Sequence, residues 1–183
     1  MKSISTLIIT SILFITCAKQ TTKITSNADG VYKIQEISLN ISLNDNWKSD
    51  GKLANGPVTG YNFVHNAISD KQGNLVLPFI GIMFEQVPAN TNILMYSMGK
   101  RTQLPPMKII EVLSSDSKEF QLQTGVGYLG SYHDSNGVNH KIIVIHMINK
   151  TKGVQIIIDG TESVYQLMKK EYKNIINSIN FNS

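Results

Sequence analysis

One cysteine in 183 residues, Cys17, leaves no partner for a disulfide within the chain. A disulfide-stapled scaffold is excluded, and at this size none is needed, because a chain of this length buries roughly two-thirds of the surface it would expose unfolded. The basic residues form no stripe. Apart from Lys150/Lys152 and Lys169/Lys170 the lysines are scattered and no aromatics interleave with them, so a nucleic-acid partner is not expected. The formal charge of +4, which includes Lys2, is a mild basic excess. Catalytic grammar is also missing. There is no Gly-x-Ser-x-Gly elbow and no Asp-x-Asp pair, and the carboxylates are few and dispersed. The glycines of Gly125-Val126-Gly127-Tyr128-Leu129-Gly130 lie inside a strand, where a dinucleotide loop would have to join a strand to a helix. They read as bulges or close backbone approaches. No enzyme, cofactor or metal is expected.

What is present is a hydrophobic share of 42% with 16% charged residues, the make-up of one ordinary globular domain. Lys2 followed by the apolar run 7–15 has the form of an export signal, too short for the roughly twenty residues a spanning helix needs. The run ends at Phe14-Ile15-Thr16-Cys17, which resembles the bacterial lipobox. It differs in having Phe14 where that motif prefers Leu, and Thr16 where it prefers Gly, Ala or Ser. The expectation is a signal peptide over 1–16, a lipidated tether over 17–30 attached through Cys17, and one domain over 31–183. The alternative is a conventional signal peptide cleaved near Ala18. Acylation, such as palmitate on Cys17, would hold the chain on a bacterial envelope membrane facing away from the cytoplasm, since each buried methylene contributes about 0.8 kcal/mol.

Ile37, Leu39, Ile41 and Leu43 alternate with polar residues, the period of a half-buried strand, and Asn44-Asp45-Asn46 ends it. Further strands are expected over 61–65, over 75–86 (with Pro78 at an edge or bulge), over 108–113, over 119–133, over 141–148 and over 154–158. Asn90 or Thr91 is placed to cap a short helix ending near Lys100, and Pro105-Pro106 forces an extended link. Asp159 with Glu162 has capping-box spacing. Val164, Met168, Tyr172, Ile175 and Ile179 then share one face of a helix over 161–177, leaving Lys169, Lys170 and Lys173 in solvent. Trp47, after a turn, reads as a core plug.

The strand over 37–43 leading into Asn46-Trp47, the Gly127-Tyr128 strand before a long hairpin, and the closing Tyr172-Lys173-Asn174-Ile175-Ile176-Asn177-Ser178-Ile179 resemble the PsbP-like family. That family is named for an extrinsic photosystem II subunit, and its fold is shared with the nuclear-transport Mog proteins and many small bacterial envelope lipoproteins. The resemblance covers nearly all of residues 31–181. It implies an α+β fold, with α/β/α layers around a central antiparallel sheet and a C-terminal helix packed on it. It also implies binding or assembly work rather than catalysis. The family has no shared active-site motif, so no functional residue carries over.

Asn136-Gly137 marks a hairpin. A two-residue turn there would set His133 opposite His140, with Cβ atoms about 4.5–5.5 Å apart. Two imidazoles fall short of the three or four ligands of a firm zinc site, so the pair reads as solvated. His146, six residues further along the strand, lies roughly 20 Å from them. Two functions are compatible with these observations. One is a membrane-anchored, non-enzymatic module that contacts another envelope protein, for which an exposed apolar patch would speak. The other is a small-ligand or metal binder using a pocket between sheet and helix.

Overall fold

The computed structural model describes residues 24–27 and 30–182. Cys17 and the residues of the export signal lie outside them.

Strands dominate because β-branched and aromatic residues fall in period-2 runs. They are β1 (Ile24–Ser26), β2 (Val31–Ile34), β3 (Leu39–Ser42), β4 (Trp47–Asn55), β5 (Val58–His65), β6 (Ile68–Ser69), β7 (Leu75–Val76), β8 (Phe79–Gln86), β9 (Lys108–Leu113), β10 (Val126–His133), β11 (Asn139–Asn149), β12 (Lys152–Thr161) and β13 (Asn180–Phe181). Helix α1 spans Ile93–Arg101 and α2 spans Glu162–Ser178. Seven strands form a wholly antiparallel sheet in the order β4-β5-β8-β12-β11-β10-β9. A smaller sheet, β1-β2-β3-β13, lies beside α2, and β6 pairs with β7.

The central strands are apolar on both faces, and the two faces meet different helices. From β11, Ile143, Ile145 and Met147 enter the main core with Val164, Met168, Tyr172 and Ile175 of α2 and with Leu39 and Ile41 of β3. Ile142 and Val144 point the other way, into a second cluster with Tyr128, Leu104 and Met107. Helix α1 packs on that second face, against β10 and β11. The fold is therefore α+β, layered α/β/α, with the C-terminal helix on the sheet.

Several expectations need correction. Ile24, Thr25 and Ser26, inside the stretch expected to be a tether, pair with β2. Pro78 breaks the expected strand in two, because it has no N–H for the ladder. The part beyond it, β8, is central rather than at an edge. The N-cap of α2 is Thr161, while Asp159 is still in β12, so no capping box forms. Residues 119–125 precede β10 instead of extending it. Strand β4 was not foreseen, because only Trp47 of its nine residues is buried and no alternation survives. The bulge expected in the glycine run is real, with the register shifting between Leu129 and Gly130.

The hairpin register differs by one residue from the expected one. Asp134 Oδ1 accepts from the N–H groups of Asn136 and Val138, at 2.9 and 2.8 Å. Gly137 takes the left-handed conformation (φ 78°), making a three-residue loop. Tyr132 then pairs with His140 and His133 with Asn139, so the two histidines stand on opposite faces of the hairpin. His140 turns instead to Asp159, its Nδ1 lying 3.0 Å from Oδ1, beside the Tyr132 ring.

Candidate binding site

Helix α1 begins at Asn92, whose Oδ1 accepts from the N–H groups of Leu94 and Met95 at 2.8 and 3.3 Å. Its descent onto the sheet depends on Gly153. A Cβ there would lie 2.6 Å from the Tyr96 ring, so only glycine lets the helix approach this closely. Of the helix only Tyr96 and Ser97 are buried.

Beneath α1 lies a polar network. Ser97 Oγ is 2.8 Å from His146 Nδ1 and 2.9 Å from the Tyr128 hydroxyl, and Gln155 Nε2 is 2.9 Å from His146 Nε2. The His146 imidazole thus bridges Ser97 and Gln155, one ring nitrogen to each, and the Ser97–His146 contact is the centre of the network. Both side chains are fully buried. Burial, reinforced by the nearby Lys100 ammonium, lowers the His146 pKa to about 4, so the ring is neutral at pH 7. The network joins α1 to β10, β11 and β12.

Beside it a cleft of about 310 Å³ opens between α1 and the strands β4, β5 and β8. Leu53, Val58, Met83 and Tyr96 supply most of its wall, and Asn55, Glu85, Lys100, Gln103 and Gln155 are its polar groups. Lys100 Nζ lies 2.5 Å from Glu85 Oε1 and 5.8 Å above the Tyr96 ring. Burial, then the Glu85 carboxylate, pushes the Tyr96 hydroxyl well above its ordinary range. On its outer side α1 exposes Leu94 (58%), Met95 (69%) and Met98 (62%), spaced to form one patch.

The other residues singled out from the sequence lie elsewhere. Trp47 is buried and donates from Nε1 to Glu171 Oε1 at 2.6 Å, edge-on to His65, which fits a core plug. His133 is exposed. Among the described residues no three His, Cys, Asp or Glu side chains gather as a metal cluster. A pocket between sheet and helix was one of the two readings of the sequence, but none of the cleft's residues was named, and the buried network was not anticipated. The available signal was His146, one polar side chain amid the isoleucines of β11.

No protein-family model matches the sequence, and no curated protein matches it either. Solved structures do, among them LpqN, described as involved in cell envelope biogenesis of Mycobacterium tuberculosis. The TM-score is 0.51 at 13% identity, covering 79% of this chain and 83% of that one. At this identity the likeness is one of fold. LpqN has a PsbP-like fold, and at that level it supports the resemblance drawn from the order of elements.

Proposed function

We propose that this chain is an envelope protein, lipid-anchored through Cys17, that works as a non-enzymatic binding or assembly module and contacts another envelope protein through α1. The observation that carries the reading is the outward face of α1. A nine-residue helix that buries only Tyr96 and Ser97 exposes Leu94, Met95 and Met98 on one side, an apolar patch of the kind that marks a contact surface. The fold shared with LpqN, a protein described by its role in cell envelope biogenesis, supports the location. A photo-cross-linker at Met98, in native membranes, should trap a discrete protein adduct, and one at Lys173 on α2 should not. Equal adducts from both positions, or adducts with lipid alone at Met98, would contradict the reading.

The cleft favours a second reading, in which the module holds a small ligand between sheet and helix. Its volume lies at the lower end of the ~300–1,000 Å³ range of ligand pockets, and its wall is mostly apolar with a few convergent polar groups.

A further inference from the structure

We infer that the cleft under α1 selects an uncharged ligand with an apolar body, and that the Glu85–Lys100 pair is the selecting device. This rests on the ligand-binding reading above. Among the described residues, the only charged side chains in the lining are Glu85 and Lys100, and they are matched to each other at 2.5 Å. Lys100 is further engaged by the Tyr96 ring. An anion or cation entering the cleft must either leave its water without a counter-ion or break the pair and strand one of its members, and both outcomes are penalised in a partly buried site. An uncharged ligand meets neither penalty and gains from Leu53, Val58 and Met83. The amide of Gln155, oriented by its bond to His146 at 2.9 Å, is a fixed polar group in the lining for such a ligand.

The probes are N-phenyl-1-naphthylamine and 8-anilinonaphthalene-1-sulfonate, one ring system without and with a negative charge. The full chain is titrated with each, followed by fluorescence, with Val58→Trp as the blank that fills the cleft. Leu53→Trp serves as a second plug, since Leu53 is 47% exposed and the change leaves the core intact. The component of binding lost in both plugged chains reads the cleft. That component is expected to favour the uncharged probe at least about tenfold, equivalent to about 1.4 kcal/mol. Glu85→Gln frees the Lys100 charge, and it should raise the affinity for the sulfonate about tenfold and so remove the preference for the uncharged probe. Equal affinity for the two probes, or no response of the sulfonate to Glu85→Gln, overturns the selection by charge. Binding of the uncharged probe that is undiminished in both plugged chains, or absent from all of them, overturns the ligand reading itself.

Discussion

Lowering the pH from 7 to 5 should destabilise the fold by about 2 kcal/mol through His146 alone. In the fold this imidazole is fully buried, and its pKa is depressed from 6.5 to about 4. The unfolded chain takes up the proton as the pH falls through 6.5, whereas the folded chain refuses it until about 4. The His146 contribution is therefore complete above about 6.5 and drains away between 6.5 and 4. Fully expressed, the gap corresponds to about 3 kcal/mol, of which some 2 kcal/mol is lost by pH 5. Structurally, a second proton on the ring would have to fit between Gln155 and Ser97, 2.9 and 2.8 Å from its two nitrogens, and would add charge near Lys100. The assay is urea unfolding at both pH values for the wild type and for His146→Gln. All other groups are common to the two chains and cancel in the comparison. The wild type should lose about 2 kcal/mol more than the variant over this interval. Parallel losses would refute the reasoning, by showing that the buried ring is not held neutral.

Ile175→Ala removes a buried side chain at the α2 interface with the sheets, and should cost about 2–5 kcal/mol, read as a lower urea midpoint. An unchanged midpoint would mean that α2 does not close the main core. Calorimetric titration with zinc should show no tight stoichiometric binding, because His133 and His140 face opposite sides of their hairpin. A tight response abolished by His133→Ala would contradict that register.

What could be read in advance follows from how strongly burial constrains a segment. The β3 pattern, the apolar stripe of α2 and the extent of β9 were legible, since each carries its own periodicity into a core. Strand β4 was not legible. It is an edge strand, with Lys48, Ser49 and Asp50 in solvent and a register shift between Ser49 and Gly51, and burial demands little of it. The N-cap of α2 was displaced because Asp159 is still paired in β12, with Ile142 and Phe79, and the Asn136-Gly137 register because Asp134 bonds across its own loop, neither of which hydrophobic pattern encodes. The residues that line the cleft were illegible for another reason. Leu53, Glu85, Lys100 and Gln155 come from four elements spread over a hundred positions, and only the strand order brings them together. Cys17, by contrast, rests entirely on sequence.

Whether this fold is carried to a membrane and held there as an envelope module is tested most directly by mass spectrometry of the mature chain taken from native membranes. The prediction is an N-terminal peptide that begins at Cys17 and carries acyl mass, with residues 1–16 absent. An unmodified Cys17, or a chain that still begins at Met1, would contradict it.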